Sequence, residues 1–156
     1  MFFVLQLKLW DVAKRRVLYT VQAHDGFVRA VAYSQESSTL YTVGDDKLIK
    51  QWKCDAEDGS DLKVPVNTIL TSGMLTGISP HRSKPVLATC GEACHLWEKS
   101  RAQPIKTFQW GVDSLQSIKF NQVEENILGK KKQTLIQSSL LKLKFVFWFL
   151  NSCLRQ

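Results

Sequence analysis

The chain has 156 residues, of which 44% are hydrophobic and 22% are charged, a balance typical of one globular domain. The longest late apolar run, residues 145–150, is far shorter than the roughly 20 residues of a membrane-spanning helix, so we expect no membrane partner. The net charge of +7 would tolerate an acidic partner such as RNA, but solvated basic clusters are the favoured explanation of it. Four cysteines without a disulfide spacing favour reduced thiols in a nuclear or cytosolic protein.

Three short segments along the chain carry a tryptophan at the same place. The segments "LKLWD", "IKQWK" and "CHLWE" put Trp10, Trp52 and Trp97 near the end of a short strand with aliphatic neighbours. The tryptophans recur at intervals of about 40 to 45 residues, and this period is typical of WD-repeat propeller blades. The alternation of side chains around them also has the period of two that strands require.

In chain order, the pattern predicts an all-β chain, a partial WD40 β-propeller with two complete four-stranded blades, two half blades and an irregular C-terminal tail. The predicted propeller spans residues 7–128, and the predicted tail, disordered or helical, spans 129–156. We expect the acidic segment 55–65 to be a surface loop. The predicted strands are 7–10 and 17–21 in the first half blade; 27–33, 40–43, 48–52 and 66–70 in the first whole blade; those within 74–108 in the second; and 115–120 and 126–128 in the last half blade.

Polar residues around the second tryptophan form the most informative pattern. The resemblance to WD repeats implies a hydrogen-bonded tetrad made of a His before the innermost strand, a hydroxyl on the second strand, an Asp in the next turn and the Trp. This chain offers His24, Thr42, Asp46 and Trp52 at matching positions. Buried polar groups need partners, and the tetrad gives one to each of the four. A hydrolase triad would leave the Trp unexplained and lacks an oxyanion loop, so we interpret the set as structural.

The repeat around the third tryptophan is degenerate. Glu92 lies near the position of the tetrad aspartate, and no histidine occurs where His24 would map. Cys90, Cys94 and His95 do not have a recognised zinc spacing, and strand alternation would separate Cys94 from His95. We therefore predict no metal and no cofactor.

An incomplete ring has physical consequences. A propeller hides the faces of its blades by closing a ring of four to eight of them, and the predicted blades are too few. The terminal faces would expose apolar side chains, and the half blades would leave open strand edges. We therefore expect the isolated chain to be marginally stable, prone to aggregate or dependent on a partner.

Several segments resemble one WD-repeat family in particular. "VQAHDGFVRAV", "TVGDDKLIKQWK", "VLATCGEACHLWE" and "WGVDSLQSIKFN" resemble the Sof-one-type WD proteins, also called DDB-one- and cullin-four-associated factor thirteen. The resemblance covers about residues 7–128 and implies a propeller that is shorter at both ends than the family's seven-bladed ring. It also implies a non-enzymatic scaffold of the small-subunit processome, needed for 18S ribosomal RNA maturation in the nucleus and nucleolus. Its partners would be processome proteins and pre-ribosomal RNA.

Other functions stay open beside this one. A second is a substrate receptor of a cullin-four ubiquitin ligase, although its adaptor often docks on Trp-Asp-x-Arg and Trp10-Asp11 is followed here by Val12 and Ala13. A third is a non-productive fragment that is made and then degraded. An enzyme is not expected, since no nucleophile, paired carboxylates or phosphate loop is present in the sequence. The candidate partner contacts on the propeller rims are Arg29, Lys47, Lys50, Arg82 and Lys84.

Overall fold

The computed structural model describes residues 6–56, 59–99, 101–109, 114–121, 126–131, 134–139 and 146–148. Within these ranges the chain forms antiparallel strands and one short 3₁₀-helix. None of the helices found there is long and apolar enough to cross a bilayer. The prediction of an all-β partial propeller is confirmed.

The strands form four sheets that follow one another along the chain. Blade A consists of β1 (Gln6–Asp11) and β2 (Arg16–Gln22). Blade B consists of β3 (Val28–Ser34), β4 (Thr39–Gly44), β5 (Leu48–Lys53) and β6 (Asn67–Leu70). Blade C consists of β7 (Leu75–Pro80), β8 (Val86–Gly91), β9 (Cys94–Glu98) and β10 (Pro104–Phe108). Blade D consists of β11 (Ser117–Phe120), β12 (Asn126–Lys131), β13 (Thr134–Ser139) and β14 (Val146–Trp148).

The last sheet corrects the prediction of a half blade followed by a disordered or helical tail. Strand β12 continues to Lys131, and β13 and β14 then pair in register, from Asn126↔Ser139 to Gln137↔Val146. The segment has no repeat tryptophan, so the pattern did not predict strands. An unpaired edge of β12 offers backbone hydrogen bonds to any extended segment, whatever its side chains, and this explains why strands form. Residues 149–156 of the predicted tail lie outside the described residues.

Apolar side chains fill the spaces between consecutive blades. Because neighbours along a strand point to opposite faces, β4 sends Tyr41 and Val43 towards blade C and Leu40 towards blade A. Blade C in turn meets blade D through a cluster that includes Leu96 and Ile118. The second strands of the middle blades, β4 and β8, are therefore covered on both faces and almost entirely buried.

The acidic segment between β5 and β6 is more than the surface loop that the sequence predicted. It contains a 3₁₀-helix, Ser60–Lys63, whose Leu62 is buried in the same cluster as Trp52. Gly59 before it has φ 73°, and a Cβ there would lie 2.8 Å from Leu9 Cδ2 and 2.9 Å from Tyr19 Cβ. A glycine is required at this position both for its left-handed conformation and for the close contact. The loop thus fastens blade A to blade B.

Candidate functional site

His24, Thr42, Asp46 and Trp52 lie in one chain of hydrogen bonds. Trp52 Nε1–H donates to Thr42 Oγ1 at 2.9 Å, and this hydroxyl lies 2.8 Å from His24 Nε2. His24 Nδ1 lies 2.8 and 2.9 Å from the two carboxylate oxygens of Asp46. The hydroxyl accepts from the indole and donates to Nε2, so the imidazole carries its proton on Nδ1 and donates it to Asp46. The structure therefore brings together all four residues that the sequence singled out.

The turn between β4 and β5 holds the aspartate of this tetrad in place. Asp46 also accepts hydrogen bonds from the backbone amides of Asp25 and Leu48, each at 3.2 Å. Burial alone would raise the pKa of Asp46, but the hydrogen bonds from His24 and the two amides outweigh it and lower the pKa. Gly44 leaves room for the ring, since a Cβ there would lie 2.9 Å from His24 Cγ.

The environment of the tetrad determines what it can do chemically. The side chains of His24, Thr42 and Trp52 are buried. The Thr42 hydroxyl donates its proton to His24 Nε2 and accepts the hydrogen bond of the Trp52 indole. A substrate would have to displace one of these buried bonds to reach the hydroxyl. The arrangement instead joins the segment before β3, the β4–β5 turn and two strands into one unit.

Blade C keeps only part of this arrangement. Trp97 Nε1–H donates to Thr89 Oγ1 at 2.8 Å, as Trp52 does to Thr42. The β8–β9 turn is shorter, and Glu92 is exposed. The position of His24 is taken by Thr71, whose hydroxyl donates to the Lys47 carbonyl at 2.8 Å. The sequence analysis missed Thr71, although its distance from β7 equals that of His24 from β3.

Trp10, the repeat tryptophan of blade A, differs from the other two. Its side chain is 55% exposed. Within the described part of the chain, its indole has no hydrogen-bond partner, because β1 pairs with β2 on one side only. In blades B and C, the threonine hydroxyl that accepts from the tryptophan lies on the strand that pairs with the other edge of the tryptophan strand. Blade A has no such strand beside β1 within the described residues.

The chain is similar to a known protein family and to several curated proteins. Residues 15–53 match the family described as WD domain, G-beta repeat. Over 124 residues the chain is 41% identical to DDB1- and CUL4-associated factor 13 of Mus musculus and 40% identical to that of Homo sapiens, a match of 80% of this chain and 28% of each relative. The Dictyostelium discoideum protein of that name is 31% identical over 124 residues, which is 79% of this chain and 28% of the relative.

The chain contains a WD repeat and, over 80% of its length, is similar to proteins named DDB1- and CUL4-associated factor 13. The resemblance that the sequence motifs indicated is thereby confirmed. The chain spans 28% of the length of these relatives, so the family's function as a whole is not transferred to it by similarity alone.

The basic residues predicted as partner contacts do not form one surface. Arg29 binds Asp45 through two bonds of 2.5 and 2.7 Å and lies over the Phe27 ring at 5.4 Å. Lys50 donates from Nζ to the Ala23 carbonyl at 2.7 Å, so it supports the segment before β3. Lys47 is exposed in the β4–β5 turn, at the same end of the strands as Arg29.

The other two candidates lie at the opposite end of the strands. Arg82 and Lys84 are exposed in the β7–β8 turn. A groove of about 580 Å³ runs between this turn and the β3–β4 turn, and its lining includes Arg82 and Glu36. Lys99, which the sequence did not single out, reaches the same end and lies 3.4 Å from the Ser34 hydroxyl. A partner that bound all of the predicted cations would therefore have to contact both rims.

Cys90 and Cys94 offer no reactive site. Cys90 and Cys94 face each other across β8 and β9 and are buried. Burial raises the pKa of Cys90 to about 11 and, together with the neighbouring Cys90, that of Cys94 to about 12, so both thiols stay protonated at neutral pH. His95 Nδ1 instead lies 3.0 Å from Thr107 Oγ1 on β10. The described part of the chain contains no group of three or more His, Cys, Asp or Glu that could hold a metal ion.

Proposed function

We propose that this chain is a non-enzymatic WD-repeat scaffold that binds other macromolecules through the ends of its blades. The observation that carries the proposal is the tetrad of His24, Thr42, Asp46 and Trp52. Three of them, His24, Thr42 and Asp46, could have formed a hydrolase triad, and each is held in a buried or part-buried structural bond. Turns at the strand ends expose charged residues at both rims, as a scaffold requires.

The name of the relatives suggests one partner for this scaffold. They are called DDB1- and CUL4-associated, and we propose that this chain joins the same association as a substrate receptor. The turn after Trp10 supports a contact there, because Val12, Arg15 and Arg16 are exposed and Asp11 caps the turn by accepting from the Lys14 amide at 2.9 Å. Arg15 lies in the same turn as the position where the adaptor motif would have its arginine.

A binding experiment with purified DDB1 tests this role. The tagged 156-residue chain should retain DDB1, and the double variant Arg15→Glu, Arg16→Glu should lose it, since two positive charges at the contact become negative. Arg101→Glu is the matched control: it reverses an exposed charge in another turn of the propeller, paired with Glu98, and should bind as the parent does. Failure of the parent chain to retain DDB1 would contradict the receptor role.

A role in the small-subunit processome is the second candidate. Its support is two basic groups at one rim: Arg15 in the β1–β2 turn with Arg16 at the start of β2, and Arg82 with Lys84 in the β7–β8 turn. Clustered cations of this kind bind nucleic-acid phosphates with an affinity that falls steeply with salt. We propose pre-ribosomal RNA and processome proteins as partners, and the nucleus and nucleolus as the location.

Sedimentation of cell extracts distinguishes the roles. Co-sedimentation of the chain with large nucleolar particles, abolished by reversing Arg82 and Lys84, would support the processome role. Sedimentation as a free protein, with DDB1 retained, would leave the receptor role alone. Rapid turnover without incorporation into either assembly would contradict both and favour the non-productive fragment, for which the exposed apolar residues of blade B are the argument.

A further inference from the structure

Lys99 is a half-buried cation at the junction of blades B and C. Its Nζ lies 3.4 Å from the hydroxyls of Ser34 and Ser37 at the β3–β4 turn, and 5.7 Å from the centroid of the Tyr41 ring. Burial lowers the pKa of Lys99, so its ammonium has lost water that its present partners do not fully replace. All four residues belong to the two middle blades, each of which has four strands.

The ammonium of Lys99 forms no salt bridge in the described part of the chain. Arg101, two residues later, does form one and lies 2.7 Å from Glu98. The charge of Glu36 raises the pKa of Lys99, but this carboxylate does not pair with the ammonium directly. A partly desolvated cation that has only hydroxyl and aromatic partners attracts an anion from outside the chain.

An open groove gives such an anion access to the junction. The groove of about 580 Å³ between the β3–β4 and β7–β8 turns has Ser34, Glu36 and Arg82 in its lining. Ser34 accepts a hydrogen bond from Lys99, so its own hydroxyl proton is available to an acceptor in the groove. Arg82 adds a second cation from the opposite turn. A single anion in the groove could therefore contact two cations and a hydroxyl.

The backbone holds Lys99 between the two blades. Its amide donates to the Pro85 carbonyl beside the β7–β8 turn at 2.9 Å. Its carbonyl accepts from Gln51 Nε2 on β5 of blade B at 3.2 Å. The cation is thus positioned before a ligand arrives, and a positioned group costs less ordering entropy on binding.

The charges around the groove favour one doubly charged anion over a polyanion. Glu36 lines the groove and Glu98 lies next to Lys99, so an RNA strand would bring further phosphates close to these carboxylates. A phosphomonoester instead carries a charge of about −1.5 to −2 at pH 7 on a single group with three acceptor oxygens. Three oxygens match the three donors, which are Lys99, Arg82 and Ser34. A carboxylate has only two oxygens and half of this charge.

We propose that the groove between blades B and C binds a phosphorylated serine or threonine of a protein partner. Lys99 and Arg82 pair with the phosphate, and the Ser34 hydroxyl donates a hydrogen bond to it. The site adds a phosphorylated partner to the scaffold role. Its test uses neither DDB1 nor ribosomal particles, so its outcome is separate from that of the functions proposed above.

A titration followed by ¹H–¹⁵N correlation spectra of the full 156-residue chain measures this binding. The probe is a pentapeptide with one phosphoserine between two pairs of glycines, at about pH 7.5, where the phosphate is a dianion. We expect saturable shifts of the amide signals of Ser34, Arg82 and Lys99. The unphosphorylated pentapeptide should cause none. Inorganic phosphate and a five-nucleotide uridine RNA should bind more weakly than the phosphopeptide.

Three variants of the chain show whether the phosphate binds at this junction. Lys99→Gln should weaken binding about tenfold or more, which is the effect of losing one charge-assisted hydrogen bond. Glu36→Gln should tighten binding about threefold, since it removes a negative charge from the lining. Lys8→Gln is the matched control: it removes an exposed cation from β1 and should bind as the parent does.

The proposal would be overturned by the absence of saturable phosphopeptide binding, or by binding that a folded Lys99→Gln variant retains in full. Should Lys99→Gln lose the dispersed signals of a folded chain, Glu36→Gln decides, and unchanged or weaker binding to it would refute the site. Inorganic phosphate that binds as tightly as the peptide would make free phosphate the ligand. RNA that shifts the same amides at lower concentration would make a nucleic acid the ligand. Either result would overturn the phosphorylated partner.

Discussion

The substitution Thr42→Val tests the tetrad directly, because valine keeps the shape of threonine and removes only the hydroxyl. In the parent chain this hydroxyl bonds to the Trp52 indole and to His24 Nε2, at 2.9 and 2.8 Å. Both of these groups are buried and would lose their partner together. A buried polar group left without a partner costs about 1–3 kcal/mol, so the free energy of unfolding should fall by about 2–5 kcal/mol.

Blade C provides the matched control for this substitution. Thr89 meets Trp97 in the same geometry, but His95 opposite it bonds to Thr107, so Thr89→Val leaves one buried group without a partner in place of two. We expect Thr89→Val to cost about 1–3 kcal/mol, roughly half the effect of Thr42→Val. Thr42→Ser keeps the hydroxyl and loses one methyl group, which should cost about 1 kcal/mol.

Urea unfolding followed by far-UV circular dichroism measures all three variants against the parent chain. The order of stability should be parent, Thr42→Ser, Thr89→Val and Thr42→Val. If Thr42→Val is unfolded without urea, the Thr42→Ser variant still measures the loss of the methyl group alone, and the Thr89→Val variant still measures the loss of one hydroxyl bond to a tryptophan. Equal losses for Thr42→Val and Thr89→Val would refute the account of His24 as a second partner. A serine variant as unstable as the valine variant would refute the role of the hydroxyl itself.

Three further predictions concern stability. Asp46→Asn should lower the free energy of unfolding at pH 7 and make that free energy fall less steeply in acid. The lowered pKa of Asp46 stabilises the fold above about pH 4, and this stabilisation is lost as the pH falls through the folded pKa. Urea unfolding of the parent chain and the variant at pH 7, 4 and 3 measures the difference. Gly91→Ala should cost about 1–3 kcal/mol, because a Cβ there meets the Met74 carbonyl, whereas Gly73→Ala has open space and should change thermal unfolding little. Leu62→Ala should cost about 2–4 kcal/mol and speed proteolysis of the loop that joins blades A and B, and an unaltered digestion rate would count against that role.

The spacing of a few residues was enough to predict the middle of this molecule. The repeat tryptophans and the strands of blades B and C follow from local periodicity, and the resemblance to WD repeats implies the tetrad, whose buried polar groups need partners. Each of these features depends only on the spacing of residues within one repeat. The family resemblance rests on the same segments, and the comparisons agree with it.

Other features depended on neighbours that lie far away in the sequence. Thr71 lies where the tetrad histidine would map, and its hydroxyl reaches the carbonyl of Lys47 in the preceding blade. Arg29 and Arg82 resemble each other as exposed cations, yet they lie at opposite ends of the strands. Leu62 looks like one apolar residue in an acidic loop, and only the packing of blade A on blade B makes it part of a core.

The amino-acid sequence by itself determined which segments become blades and which polar side chains hold the second tryptophan, because both depend on spacing within one repeat. Only the tertiary structure decided that β13 and β14 extend the last blade and that Trp10 and Val31 remain exposed. Burial and strand pairing are relations between surfaces, and whether a side chain is covered depends on which blade stands next to it.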